Sequence, residues 1–176
     1  VKNGAHAKYA FYDESIRDNL LEEKGLVSQM QEALNDGEFI VYYQPKVDLR
    51  TGAIACAEAL VRWKKPDGRI IPPDRFIPVF EKNHLIAELD QYVFESVCRS
   101  LRRRLDEERP VLPVSVNISR LQFYEADFVA AYVAVKNRYR IPNGLLDLEF
   151  TESIACDNFE LMPEIVKKLK QEGFSC

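Results

Sequence analysis

Three residues, Arg50-Thr51-Gly52, separate two runs rich in β-branched and aromatic residues, and the shortness of that link constrains the fold more than any other feature. The first run is Phe39 to Leu49 (FIVYYQPKVDL) and the second Ala53 to Trp63 (AIACAEALVRW). Both read as strands. A parallel crossover needs a dozen or more residues, so this turn can only join antiparallel neighbours. After a second turn at Pro66-Asp67-Gly68 the pattern changes. Pro73 to Lys82 holds a short helix, and Leu85, Ile86, Leu89, Val93, Val97, Leu101 and Leu105 trace a long amphipathic one. Val114 to Ile118 reads as a strand, about 124 to 139 as a helix, Leu145 to Thr151 as a strand and about 160 to 172 as a helix. Strand and helix in alternation imply parallel strands with helices outside. The expected class is α/β, with an antiparallel first strand leading into parallel units.

Strands of a parallel sheet are covered on both faces and normally run as nearly continuous Val, Ile and Leu. Here they do not. One face of the third strand carries Ser115, Asn117 and Ser119 against Val114, Val116 and Ile118 on the other. The fourth divides Asp147, Glu149 and Thr151 from Leu146, Leu148 and Phe150. In the second strand Glu58, Leu60 and Arg62 look the same way, because side chains alternate. Glu58 and Arg62 stand roughly 13 Å apart at about 3.3 Å per residue. That spacing suits one long anionic ligand, the carboxylate meeting it through a metal ion and the guanidinium through a phosphate. Polar groups at the C-terminal strand ends of a β/α barrel are where ligands and metals bind; an open sheet with one wetted face is the competing explanation. If Glu58, Asn117 and Glu149 converge, they form a hard oxygen set suited to Mg²⁺ or Mn²⁺ and poorly suited to zinc or copper. Such a site beside a phosphate-binding Arg points to phosphoryl chemistry.

Composition narrows the class. The 176 residues are 47% hydrophobic, enough for one real core, and 24 basic against 28 acidic residues give a net charge of −4. That balance argues against DNA, RNA or anionic membranes as partners, and Arg99, Arg102, Arg103 and Arg104 read as a solvated helix face. No apolar run reaches about 18 residues, so no membrane segment is expected. Cys56, Cys98, Cys156 and Cys176 lack metal-site spacing and are too sparse for a disulfide scaffold, which suggests a reducing, cytoplasmic setting. Ahead of the strands, Leu20, Leu21, Val27, Met30 and Leu34 mark a connecting helix over about 15 to 37, stopped by Asn35-Asp36-Gly37.

From Glu38 onward the chain resembles an EAL-domain cyclic di-GMP phosphodiesterase. The resemblance rests on YYQPKV (Tyr42 to Val47), EALVRW (Glu58 to Trp63), PDGRIIPPDRFIPVFE (Pro66 to Glu81), SVNIS (Ser115 to Ser119) and LEFTES (Leu148 to Ser153), in family order. It implies a modified (β/α)8 TIM-like barrel whose first strand is antiparallel, with residues 38–176 supplying the N-terminal half. It implies that Glu58, Asn117 and Glu149 ligate Mg²⁺ or Mn²⁺ in a two-metal site and that Arg62 meets the phosphodiester of cyclic di-GMP. Gln44 resembles a residue lining the nucleotide groove, and Glu152 one that anchors a catalytic loop. Residues 1–14, with Lys2, Gly4, Tyr9, Tyr12 and Asp13, resemble the tail of a GGDEF domain, implying such a domain upstream in the same polypeptide.

The family pattern continues with paired aspartates and a catalytic Lys beyond Cys176. The expectation is therefore a phosphodiesterase domain of which this chain holds half the site, inactive and weakly metal-binding by itself. A non-catalytic cyclic di-GMP receptor is the alternative. A fourth strand without a following partner, and a first strand with a free outer side, would leave two open edges. A homodimer built through those edges is expected, unless the 176 residues belong to a longer polypeptide.

Overall fold

The computed structural model describes residues 14–125, 127–150 and 161–176. Thr151, Glu152 and the first 13 residues lie outside the described residues, so the loop-anchoring role expected for Glu152 and the GGDEF-like tail have no counterpart below. Helix α1 spans Glu14–Asn35. It buries Leu26, Met30 and Ala33, spaced four and three residues apart along one face. It ends as the Asn-Asp-Gly signal predicts: Glu38 N–H bonds Ala33 O at 2.9 Å, and Gly37 takes φ 71°. Glu22 and Glu23 pair with Arg75 and Lys82 of α2 (Pro73–Lys82), at 2.6 and 2.7 Å.

Strands β1 (Phe39–Val47) and β2 (Ile54–Lys64) form the expected antiparallel hairpin, in register from Phe39 opposite Trp63 to Lys46 opposite Cys56. The first strand stops two residues earlier than composition suggests. Asp48 accounts for that, because its side chain accepts from Arg50 N–H and its carbonyl from Gly52 N–H, both at 2.8 Å, which starts the turn. A two-residue strand β3 (Ile70–Ile71) pairs antiparallel with the end of β2, and it is too short to leave a periodic signal. Helix α3 spans Ile86–Asp106. Strands β4 (Val114–Ile118) and β5 (Leu146–Phe150) then add in parallel, giving the order β1-β2-β4-β5 in one mixed sheet.

Two expectations need correction. The helix read over about 124 to 139 begins four residues later, as α5 (Phe128–Arg138), and a separate short helix, α4 (Arg120–Tyr124), precedes it. Ser119 caps α4 by accepting from Gln122 N–H at 3.2 Å, and Glu125 turns extended at ψ 124°, which ends the helix before Phe128 can continue it. The outer side of β5 is also not a free edge. After α6 (Met162–Gln171) the chain returns, and Ser175 bridges Asp147 in parallel: Ser175 N–H reaches Leu146 O and Leu148 N–H reaches Ser175 O, both at 2.9 Å. That occupies the start of one of the two edges on which edge-to-edge homodimer pairing rests.

The sheet is half of the story told by its alternation. Phe39, Ala59, Trp63, Val114, Val116, Ile118, Leu146 and Leu148 are buried on one side, where α2 and α3 pack. Trp63 sits among Phe39, Phe76 and Phe80 with ring centroids 4.9 to 5.8 Å away. Its indole N–H reaches Glu38 Oε2 at 2.7 Å, which also takes Lys65 Nζ at 2.7 Å. Among the described residues no helix covers the opposite side, and the sheet does not close into a full barrel.

Candidate functional site

The uncovered face is polar because residues two apart on each strand share it, and the ladder aligns the strands. Gln44 lies opposite Glu58, Glu58 beside Ser115, Ser115 beside Asp147, and Asn117 beside Glu149. The expected trio does come together. Asn117 Nδ2 donates to Glu58 Oε1 at 3.0 Å, which leaves the Asn117 amide oxygen free to act as a ligand. Glu149 faces the same space from β5.

A fourth group fills the space between the two carboxylates, and the sequence reading missed it. Lys46 Nζ lies 3.4 Å from Glu58 Oε2, donates to Ser115 Oγ at 3.1 Å, and pairs closely with Glu149 Oε1. Its signal was present: Lys46 is two residues beyond Gln44 in the same strand, so alternation puts both on the Glu58 face. The charges respond to one another. Burial alone lifts the Glu149 carboxyl, but the Lys46 ammonium and the Ser115 hydroxyl outweigh it and hold Glu149 below the ordinary carboxylate range. The bond to Glu149 in turn raises Lys46 against the opposing pull of burial. Asp147, next along β5, is raised by burial and by the Glu149 charge.

Gln44 is exposed, opposite Glu58, in position to line this face. Arg62 stands one step beyond Leu60 toward the C-terminal end of β2. Its Nη1 bonds Val61 O at 2.8 Å, and its guanidinium lies 5.9 Å from the Tyr42 ring centre. Arg62 and Asn117 line a cleft of about 120 Å³ with Leu60, Pro73, Ile86 and Asp90. Asp90, near the start of α3, accepts from Ser119 N–H at 2.9 Å, and burial pushes its carboxyl up to about 7. Nothing in the local sequence marks Asp90, which reaches the cleft only because α3 lies across the ends of β2 and β4.

Among the described residues no three His, Cys, Asp or Glu side chains group as metal ligands; beside Glu58 and Glu149 stands the Asn117 amide. Carboxylate and amide oxygens on one face fit a hard divalent cation. Arg99, Arg103 and Arg104 of the α3 Arg stripe are solvated, as read from sequence, whereas Arg102 is half-buried and pairs with Asp106 at 2.7 Å. No helix among the described residues is long and apolar enough to cross a membrane.

Known proteins resemble this chain in sequence and in fold. The chain is 32% identical over 173 residues to the bifunctional diguanylate cyclase/cyclic di-GMP phosphodiesterase MucR of Pseudomonas aeruginosa, covering 98% of this chain and 25% of MucR. It is 30% identical over 173 residues to the signaling protein YkoW of Bacillus subtilis, covering 98% of this chain and 22% of YkoW. The chain thus spans about a quarter of the length of these curated relatives. The solved MucR phosphodiesterase in complex with c-di-GMP superimposes with a TM-score of 0.78 at 32% identity, over 85% of this chain and 61% of that one. Residues 27–176 match the EAL domain, and with the hairpin, the parallel units and the shared polar face in place, the chain belongs to the EAL-domain family.

Proposed function

We propose that this chain forms the metal- and phosphate-binding part of a cyclic di-GMP phosphodiesterase site, which hydrolyses one phosphodiester bond to give a linear dinucleotide. The observation that carries this is the meeting of Glu58, Asn117 and Glu149 on one face, with Arg62 farther along the same strand. The name of MucR, and the nucleotide in its solved complex, support the choice of substrate. Glu58, Asn117 and Glu149 would hold Mg²⁺ or Mn²⁺, which when bound polarises the phosphorus centre and lowers the pKa of the attacking water.

The chain's own residues set the rest. Arg62 supplies a permanent planar cation to a phosphate oxygen, which strengthens as negative charge grows there in the transition state. Gln44 offers an amide donor and acceptor at the groove wall. Residues 1–14 we read as the end of a GGDEF domain preceding this one, and Glu152 as the anchor of a catalytic loop.

The test uses the full-length protein with Mg²⁺ or Mn²⁺ and cyclic di-GMP. Turnover to the linear dinucleotide should disappear in Glu58→Ala. Wild-type turnover in that variant would remove Glu58 from the ligand set, and tight nucleotide binding without turnover in the unaltered protein would make it a receptor instead.

A further inference from the structure

We propose that Lys46 is a tethered cation that competes with the divalent metal for Glu58 and Glu149, holding the two carboxylates together and leaving when the metal enters. The proposal rests on the reading of Glu58, Asn117 and Glu149 as metal ligands and adds a residue that sets how readily they are filled.

The geometry is specific. One ammonium touches a carboxylate from β2, a carboxylate from β5 and the buried Ser115 hydroxyl of β4, so it joins three strands at one point. The oxygens it engages, Glu58 Oε2 and Glu149 Oε1, lie against the same ammonium. The second Glu58 oxygen is already bonded to Asn117. A divalent ion held by both carboxylates would meet the Lys46 ammonium already paired with them, and the two cations would repel.

Lys46 is also able to leave. Its side chain is 40% exposed and rises from the solvent side of β1 on a flexible four-carbon stem, so the ammonium can swing into water without moving the strand. Removing it should therefore do two opposite things. Two carboxylates lose the charge that reconciles them, which loosens the metal-free protein. The metal meets neither competitor nor repulsion, which tightens its binding. A purely structural ion pair would give the first effect alone.

The experiment compares the full-length protein as wild type, Lys46→Met and Lys46→Gln, the last retaining a hydrogen-bond donor for Ser115 or Glu149 if the Met variant folds poorly. Mn²⁺ affinity is measured by calorimetry, and melting temperature is followed with and without Mn²⁺. Both variants should melt lower than wild type in metal-free buffer, bind Mn²⁺ about tenfold more tightly, and regain the lost stability when it is added. In the full-length wild-type protein, acylation of Lys46 by an amine-reactive ester, read by mass spectrometry against exposed Lys24, should rise several-fold with Mn²⁺. Equal Mn²⁺ affinity in variant and wild type, or unchanged Lys46 labelling while Mn²⁺ raises the melting temperature, overturns the role of Lys46 and leaves the metal site standing. Mn²⁺ without effect on any of the three proteins overturns the metal-site reading along with it.

Discussion

On the helix side of the sheet Trp63, Val116 and Leu148 are at most 1% exposed, while on the other side Glu58 and Glu149, from the same strands, keep 24% and 34% of their side chains open. A step of one residue along the backbone separates the two environments. The helix side is dry, aromatic and tolerant of nothing that changes its volume. The open side is held by ion pairs whose individual contributions in water are small. One face therefore supplies stability, the other carries the proposed site, and substitutions should divide accordingly.

The largest effect is expected at Trp63. Trp63→Ala opens a cavity among Phe39, Phe76 and Phe80 and strands the Glu38 carboxylate, and should cost about 3–5 kcal/mol in urea unfolding. A cost under about 1 kcal/mol would break the division between the faces. Gly173→Ala comes next. Gly173 has φ 82°, and a Cβ there would stand 2.1 Å from Asn143 Oδ1, an atom already bonded by the buried Lys136 ammonium at 2.8 Å. We expect a loss of about 2 kcal/mol, measured the same way.

The two faces should also answer pH with opposite sign. Asp90 has a carboxyl raised to about 7, so its burial is tolerated best when protonated and costs stability as pH rises through that value. Asp90→Asn should stabilise the protein by roughly 1–2 kcal/mol at pH 8 and make little difference at pH 4, which thermal melts across pH will show. Glu149 is held below its ordinary range by Lys46, so its contribution is present at neutral pH and lost as pH falls through the acidic folded value. The smallest stability change is expected for Glu149→Gln, within about 1 kcal/mol at pH 7, together with loss of Mn²⁺ binding by calorimetry. A stability loss as large as that of Trp63→Ala would mean that the polar face carries the fold as well as the site.

Much of this was legible in sequence, for local reasons. The three-residue turn, the apolar spacing of α3 and the alternation in β4 and β5 are near-neighbour signals, and each lies within a residue or two of its element. The helix read over about 124 to 139 was started too early, and α4 ahead of it went unread, because Glu125 separates the two through backbone conformation, which apolar spacing does not record. The partner of β5 was missed because Ser175 reaches it only after α6 has folded the chain back.

The same boundary divides the site. The sequence by itself determined which side chains share a face, since strand alternation is a property of the backbone: Gln44, Lys46, Glu58, Arg62, Ser115, Asn117, Asp147 and Glu149 follow from it. It did not determine which of them touch. The distances from Lys46 to Glu58 and Ser115, and from Asp90 to Ser119, depend on strand register and on the placement of α3, and these are fixed by packing between residues far apart in the chain. Only the tertiary structure could seat a lysine between two carboxylates, because the attraction that holds it there acts across three strands rather than along one.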